Sequence, residues 1–450
     1  MEGTPTGRRS LLDHPARYVV SGFVVVISIG TALLSTPMAT RSGRWTSLLD
    51  AAFTATSAVC VTGLAVVDTG THWSGFGQFV ILVLIQVGGL GFMTVSSLLV
   101  MLLSKRLGLR RQLAASTERG VLSLGDVRHV LMGLGVITVS VQFVVAVMLT
   151  LRFWVGHDVG FGRALWSGIF HSVSAFNNAG FSLYPDSLIG FSGDWMVLVP
   201  VVAAIVIGGL GFPVLVDLRR VNGRWSALTL HSKVTLAGTA ALLVIGFVVL
   251  ITLEWTNPLT LGPMPIPQKV LDGGFAAVTP RTAGFNSIDV AGMRPESLLA
   301  TIGLMFIGAG SAGTSGGIKV STFAILALVI LSQLRGETDV TGFHRRIPEG
   351  TQRQAITVAL LAVGVVLGAT AVMLVSAEIE LGDALFEAVS AFGTVGLSTG
   401  ITPTLPTLDK IVLMALMLVG RVGPITLGAA LVLKSHPSRF RLPQEGPLIG

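Results

Sequence analysis

Apolar residues along this 450-residue chain fall into runs of about 20, separated by polar or glycine-rich segments. A helix needs about 20 mostly apolar residues to cross the hydrocarbon core of a bilayer. Seven runs reach that length without interruption: 18–37, 78–103, 130–151, 196–216, 234–253, 355–376 and 411–433. An eighth run, 297–334, is long enough but contains the glycine-rich stretch 308–317 in its middle. The pattern predicts eight membrane crossings, one of them broken.

A second pattern recurs four times, once between the first and second span of each repeat unit. It is a semi-apolar stretch, too short to cross a bilayer, that ends in glycine: 49–63, 166–180, 271–284 and 384–396. In each stretch a phenylalanine precedes that glycine by nine or ten positions, and a further glycine follows 24 to 28 positions later: Phe53 and Gly88, Phe170 and Gly208, Phe275 and Gly308, Phe386 and Gly420. Such periodicity indicates repeated structural units.

Elementary electrostatics suggests what such a unit does. A short helix that enters a bilayer and stops midway presents its C-terminal carbonyls at that depth, where its dipole is equivalent to about −0.5 charge. Glycine permits the backbone dihedrals that turn the following carbonyls toward an axis. Four such units around one axis would form a ring of oxygens that replaces the hydration shell of a monovalent cation.

We therefore expect an all-α integral membrane protein. Four tandem helix–pore helix–filter loop–helix (M1-P-M2) repeats would surround a pseudo-fourfold pore. The predicted divisions are an N-terminal segment 1–16, repeats at 17–110, 111–225, 226–340 (with the broken inner helix) and 341–435, and a C-terminal tail 436–450.

Composition excludes the main competing classes. Charged residues make up 12% of the chain and apolar residues 51%. Soluble domains carry about 25% charged residues, and disordered chains are poor in apolar ones. The single cysteine, Cys60, excludes a disulfide framework and a cysteine-cluster metal site.

Charge asymmetry predicts the orientation. The two termini together with 104–129, 217–233 and 335–354 hold 20 of the 30 Lys and Arg residues. Cytoplasmic loops carry such an excess, so both termini are predicted to be cytoplasmic. The pI of about 10.2 reflects this orientation, because the basic residues are dispersed over short loops, and no nucleic-acid partner is expected.

Four short segments resemble the selectivity filters of the Trk/Ktr/HKT superfamily of potassium transporters. They are Val61-Thr62-Gly63, Asn178-Ala179-Gly180, Thr282-Ala283-Gly284 and Thr394-Val395-Gly396. Over 17–450 the chain looks like the membrane subunit of a bacterial Ktr system, because Trk-type subunits carry two further N-terminal spans. The resemblance implies passive K⁺ flux past these carbonyls, with K⁺ in the pore and no cofactor bound by this chain. Gly63 stands where sodium-selective plant members have serine, which favours potassium.

The glycine-rich interruption and two cations inside spans form a second predicted site. Glycine weakens a helix by about 1 kcal/mol relative to alanine, and an arginine within an apolar span is functional by default. In the family that this chain resembles, the corresponding loop is an intramembrane gate with an arginine beside it. The predicted gate residues are Gly308, Ala309, Gly310, Ser311, Ala312, Gly313, Thr314, Ser315, Gly316, Gly317, Lys319 and Arg421.

Two enzyme-like patterns fall in the same run. Residues 308–313 match a dinucleotide-binding fingerprint, and 313–317 match a hydrolase nucleophile elbow around Ser315. Both motifs need a soluble strand before them and a helix after them, whereas apolar half-spans flank this run. We expect that the chain is not an enzyme.

The resemblance also implies partners and a location. The chain would form a homodimer, with the tail 442–450 in the dimer contact. A cytosolic ring of nucleotide-binding, RCK-type regulatory subunits would dock on the basic face. Membrane lipid would surround a multi-pass protein of the bacterial inner (plasma) membrane.

Four other functions compete with this one. A secondary transporter with discontinuous helices predicts one or two broken spans and a midplane coupling site. A sodium/potassium permease of the same superfamily, an intramembrane hydrolase that uses Ser315, and a non-transporting scaffold are the others.

Further expectations concern individual side chains. Carboxylates near the starts of the short helices are expected to cap their N-termini: Asp50, Asp272 and Asp383. Polar side chains next to the filter glycines are expected to brace the filter from behind: Thr62, Asn178, Thr282 and Thr394. Arg281 is expected to pair with an acid away from the ion path.

Overall fold

A computed structural model describes the backbone of residues 15–112 and 124–433, and the side chains of 19–97 and 132–423. Most of the predicted N-terminal segment, the whole predicted tail and the tail's expected dimer contact lie outside these residues.

Fourteen α-helices form within the described ranges. They are α1 Pro15–Leu34, α2 Leu48–Cys60, α3 Gly75–Gln112, α4 Leu124–Gly156, α5 Phe161–Asn177, α6 Trp195–Leu210, α7 Phe212–Arg220, α8 Leu230–Glu254, α9 Ile266–Val278, α10 Pro295–Phe306, α11 Val320–Leu334, α12 Glu349–Ser376, α13 Leu381–Gly393 and α14 Thr407–Leu433. Four 3₁₀ turns and one two-stranded hairpin complete the described structure: Pro37–Ala39, Ile189–Phe191, Trp225–Ala227 and Thr402–Thr404, with β1 Thr341–Gly342 paired antiparallel to β2 Arg345–Arg346.

The helices follow one order four times. Each repeat has a long outer helix (α1, α4, α8, α12), a short helix (α2, α5, α9, α13) and an inner helix (α3, α6, α10, α14). The inner helix of each repeat packs against the short helix of the next: α3 on α5, α6 on α9, α10 on α13, and α14 on α2. The last contact joins the fourth repeat to the first and closes the ring. The predicted all-α, pseudo-fourfold class is confirmed.

The expected crossings differ in length. Within the described residues, four helices are long and apolar enough to span a bilayer, and the bent pair α6 and α7 raises the number to five. The helices α10 and α11 are shorter. The protein is therefore a multi-pass membrane protein whose helices are not all full-length spans.

The inner helix of repeat 2 corrects one prediction. The run 196–216 was expected to be uninterrupted, but α6 ends at Leu210 and α7 leaves it at 92°. Gly211 between them has a φ of +90°, and a side chain there would collide with the carbonyl oxygen of Ser311. Pro213 follows in the first turn of α7, where proline is tolerated.

The inner helix of repeat 3 is broken as predicted. No helix forms between Phe306 and Val320; this non-helical stretch, 307–319, is called the broken segment below. Its ends meet in a parallel bridge between Ile307 and Ile318, and almost all of its residues are buried. Irregular backbone at membrane depth is tolerated where protein buries it.

The recurring aromatic and glycine positions have packing roles. All four phenylalanines of the short helices are at most 2% exposed: Phe53, Phe170, Phe275 and Phe386. Glycines of three inner helices lie so close to a short helix that a side chain would collide with a carbonyl oxygen there: Gly88 with Val59, Gly208 with Phe176, and Gly420 with Phe392. The fourth, Gly308, instead approaches Gly316 inside the broken segment.

The expected capping aspartates are only partly correct. Asp50 and Asp383 lie in first turns, but the residue that caps α2 is Ser47, whose Oγ accepts the Asp50 N–H at 3.1 Å. Asp272 lies in the middle of α9, fully buried. Its carboxylate accepts hydrogen bonds from Ser192 and the Gly193 N–H, so it ties α9 to the segment that precedes α6.

Candidate functional site

The four glycine segments, 61–63, 178–180, 282–284 and 394–396, share one backbone conformation. The first residue of each has a positive φ of 51–73°: Val61, Asn178, Thr282 and Thr394. The glycine that ends each segment has a φ of 68–93°: Gly63, Gly180, Gly284 and Gly396. A non-glycine residue in this region costs about 1–3 kcal/mol and persists only where its surroundings hold it, often at functional sites.

These segments converge into a closed ring. A side chain on any of the four glycines would meet the carbonyl oxygen of the residue before the glycine in the next repeat: Gly63 meets Ala179, Gly180 meets Ala283, Gly284 meets Val395, and Gly396 meets Thr62. The cycle therefore passes through all four repeats and returns to the first. Only glycine allows the backbones to come this close.

The ring opens into a wider cavity on one side. All four glycines line this cavity of about 270 Å³, together with Asp68, Ser182 and Asn286. Asp68 is the single carboxylate in that lining. A negative charge at the mouth of a narrow path concentrates cations there.

Side-chain bracing by the glycine segments themselves is limited. Asn178 and Thr282 hydrogen bond at 3.2 Å and connect repeats 2 and 3. The hydroxyls of Thr62 and Thr394 have no partner among the described residues. Of the four side chains expected to brace the filter, Asn178 and Thr282 therefore hydrogen bond to each other, and Thr62 and Thr394 do not take part.

The broken segment is attached to neighbouring repeats through its backbone. The N–H of Gly310 donates to Gly209 at 2.8 Å, and the N–H of Thr314 donates to Gly208 at 3.2 Å, both in repeat 2. The N–H of Gly317 donates to Gly420 of repeat 4 at 3.1 Å. A side chain on Gly316 would meet Thr394, so the broken segment lies directly beside the fourth glycine segment.

Two buried cations contact the broken segment. Lys319 donates to the carbonyl oxygens of Ser315 and Gly316, and Arg421 donates to that of Thr314. Both side chains are less than 8% exposed. No carboxylate lies within 4.0 Å of either among the described residues. Their polar partners are main-chain oxygens and, for Lys319, also the Ser315 hydroxyl at 3.4 Å.

Phe92 of α3 is a residue that the sequence analysis missed. The Lys319 ammonium lies 5.2 Å and the Arg421 guanidinium 4.3 Å from its ring centre. A cation over an aromatic face is stabilised, and more so where water is excluded. The chain shows no signal for this contact, because the three residues come from three repeats.

Arg281 also differs from its prediction. Its guanidinium donates to the carbonyl oxygen of Thr239 at 3.0 Å. No acid pairs with it within the described ranges, where Nε and Nη2 have no partner. The side chain is 4% exposed and lines a small cavity with Asn178 and Ala309. The expected acidic partner was wrong because α9 ends at Val278, and the turn that follows places Arg281 against α8.

Fold and ring together define a membrane cation transporter, and comparisons with known proteins agree. Residues 11–441 match the TrkH family, described as "Cation transport protein", and the chain belongs to this family. It is 40% identical to the Ktr system potassium uptake protein B of Bacillus subtilis over 95% of both chains. It is 36% identical to the potassium/sodium uptake protein NtpJ of Enterococcus hirae over 97% of both.

A solved structure shows the same fold. The potassium transporter TrkH from Vibrio parahaemolyticus matches with a TM-score of 0.75 at 18% identity, covering 98% of this chain and 88% of that one. The predicted resemblance to Ktr-type membrane subunits is confirmed, as is the prediction that the chain is not an enzyme, since its family transports cations. The hydrolase and scaffold alternatives are thereby excluded.

Proposed function

We propose that this chain is the potassium-translocating membrane subunit of a bacterial uptake system, and that K⁺ crosses passively through the ring of main-chain carbonyls. The observation that carries the proposal is the closed cycle in which each glycine abuts a carbonyl oxygen of the next repeat. Carbonyl oxygens held this way replace the hydration shell of K⁺. All four glycine segments, 61–63, 178–180, 282–284 and 394–396, act as the filter.

The broken segment acts as the gate in this proposal. It is buried beside the fourth glycine segment and hydrogen bonded to repeats 2 and 4. The positive charges of Lys319 and Arg421 raise the barrier for a cation, and their donors hold three successive carbonyls of the gate. Conduction requires this segment to move aside.

The cation preference has a specific competitor. One relative is named a potassium/sodium uptake protein, so a less selective permease of the same family is the nearest alternative. Gly63 favours potassium by resemblance. The ratio of K⁺ to Na⁺ flux separates the two functions.

A second candidate rests on the two interrupted inner helices. Repeats 2 and 3 both carry one, at Gly211 and at the broken segment. Secondary transporters place coupled substrate and ion sites at such discontinuities. In that case K⁺ uptake would require a second ion gradient, whereas a passive path carries K⁺ in either direction down its own gradient.

Assembly and location complete the proposal. The chain forms a homodimer and works with a cytosolic RCK-type ring. Relatives whose names describe a Ktr system support this part of the proposal. It lies in the bacterial inner membrane with lipid around it and both termini cytoplasmic, as the distribution of basic residues indicates. The four repeats occupy 17–110, 111–225, 226–340 and 341–435.

The test is flux through the purified protein in liposomes, with K⁺ and Na⁺ measured separately. Gly63→Ser is expected to lower the K⁺/Na⁺ flux ratio, because any side chain at Gly63 meets the Ala179 carbonyl. Gly400→Ser is the matched control: Gly400 has nearly the same φ, +95° against +93°, but no atom near its side-chain position. An unchanged ratio in Gly63→Ser contradicts the filter assignment. K⁺ flux that stops without a Na⁺ or proton gradient contradicts the passive path.

A further inference from the structure

One hydroxyl residue per repeat connects the short helix to its glycine segment. It lies four positions after the recurring phenylalanine in every repeat and is at most 3% exposed: Ser57, Ser174, Thr279 and Ser390. The main-chain carbonyl of each accepts the N–H of the residue that precedes the glycine, at 2.8–2.9 Å: Thr62, Ala179, Ala283 and Val395. In repeat 3 the spacing to the glycine is one residue shorter, and this carbonyl bond is still present.

The side-chain hydroxyls divide into two pairs. In repeats 1 and 4 the hydroxyl accepts the glycine N–H: Ser57 from Gly63 at 3.0 Å, and Ser390 from Gly396 at 3.1 Å. In repeats 2 and 3 the hydroxyl donates to the carbonyl of the phenylalanine after the glycine: Ser174 to Phe181, and Thr279 to Phe285. The sequence follows this division, because leucine replaces that phenylalanine in repeats 1 and 4.

The accepting pair acts on the ring oxygens themselves. The peptide unit is planar and trans, so a bond that holds the Gly63 N–H fixes the opposite direction of the Thr62 carbonyl. That oxygen is the one that abuts Gly396 in the ring. Ser390 fixes the Val395 carbonyl, which abuts Gly284, in the same way. The bonds of Ser174 and Thr279 hold a carbonyl beyond the glycine instead.

We propose that Ser57 and Ser390 are positioning residues that set ion selectivity, by fixing the orientation of two of the four ring carbonyls. The inference rests on the proposed filter and adds which hydroxyls determine its geometry. Without the acceptor, either peptide plane can rotate, and its carbonyl no longer keeps a fixed distance from the ion. Discrimination between K⁺ and the smaller Na⁺ then falls, while the ring still conducts.

The experiment compares K⁺/Na⁺ flux ratios of single variants in liposomes. Ser57→Ala and Ser390→Ala are each expected to lower the ratio about threefold to tenfold, the factor that one net hydrogen bond supplies. Ser390→Thr is expected to keep the ratio of the parent protein, because threonine retains a hydroxyl that can accept the Gly396 N–H. Ser174→Ala is expected to change the ratio less than either. Ser172→Ala is the control, because the one hydrogen bond of this buried hydroxyl among the described residues lies within its own helix, to Ile169 at 2.9 Å.

Two results would overturn the inference. One is an unchanged ratio in both alanine variants while Gly63→Ser lowers it, which leaves the filter intact and removes the hydroxyls' role. The other is an equal loss in Ser172→Ala, which makes the effect one of helix packing. If Gly63→Ser also leaves the ratio unchanged, the filter assignment itself is wrong. Ser57→Cys and Ser390→Cys, which fill the site with a weaker acceptor, replace any alanine variant that elutes as aggregate, and are expected to give an intermediate ratio.

Discussion

Arg421 donates a hydrogen bond to the carbonyl oxygen of Thr314, and so connects the inner helix of repeat 4 to the broken segment of repeat 3. The contact spans 107 residues of sequence and places against the broken segment a guanidinium that has no carboxylate partner among the described residues. It connects the proposed gate to the helix that packs against the first repeat.

Removal of this contact is expected to open the path. Arg421→Ala loses a charge-assisted bond, worth about 1.5–3 kcal/mol, and removes a positive charge that opposes cations. Basal Rb⁺ flux into liposomes should rise about tenfold or more. Arg44→Ala, at an exposed arginine between α1 and α2, is the control and should leave flux unchanged. A flux in Arg421→Ala equal to that of the parent protein would rule out the gate role of this residue.

Lys319 and Arg421 should act as one unit. They hold neighbouring carbonyls of the broken segment and share the ring of Phe92. Substitutions of residues in one contact network are not additive. Lys319→Met is expected to raise basal flux by itself. In the double variant Lys319→Met/Arg421→Ala, the fold-increase in flux should be larger than that of either single variant but smaller than the product of the two single fold-increases. A strictly multiplicative double variant would show that the two side chains act separately.

Helix packing gives a prediction on stability. Gly420→Ala places a methyl group against the carbonyl of Phe392, and overpacking of this kind costs about 1–3 kcal/mol. The Tm in detergent should fall. Gly364→Ala in α12 has no atom within 4 Å of the added carbon and is expected to raise the Tm slightly, because alanine is the better helix former. Equal shifts in the two variants would contradict the close packing of α14 on α13.

The N-terminus of α6, capped by Asp194, offers a prediction on pH. Burial raises the pKa of the Asp194 carboxyl, but hydrogen bonds from His157 and Arg152 outweigh it and hold that pKa below its usual value. Stability from a carboxylate with a lowered pKa is complete above the unfolded pKa of about 3.9 and is lost as the pH falls through the folded value. The Tm should therefore drop in acid below about pH 4. In Asp194→Asn this part of the drop should disappear, and an unaltered Tm–pH curve would count against the ion pair.

Local patterns were enough to predict the repeats, the short helices and the break in repeat 3. Hydropathy and glycine spacing are encoded along the chain, so Phe53 and Gly63 identify their unit without any tertiary information. The bend at Gly211 was missed because hydropathy alone gives no weight to Gly211 and Pro213 in an otherwise apolar run. The contact that accompanies the bend is distant in sequence: the Phe212 N–H donates to Ala312 at 3.3 Å.

Partners of buried polar groups were the least predictable part. The carbonyl bonds of Arg281 and Lys319, and the position of Phe92, depend on how repeats meet in space. Ser57 and Ser390 did carry a sequence signal, a hydroxyl four positions after each recurring phenylalanine. The role of that hydroxyl depends on whether it accepts or donates a hydrogen bond, and only the three-dimensional structure shows which it does.

The closed cycle of glycines and carbonyls is built from one polypeptide rather than from identical subunits. A single substitution therefore alters the ring in one repeat and leaves the other three repeats unchanged. Asn178 and Arg281 are differences of this kind, because the other three repeats carry other residues at the corresponding positions. A chain built this way can change one quarter of its proposed permeation path without changing the rest.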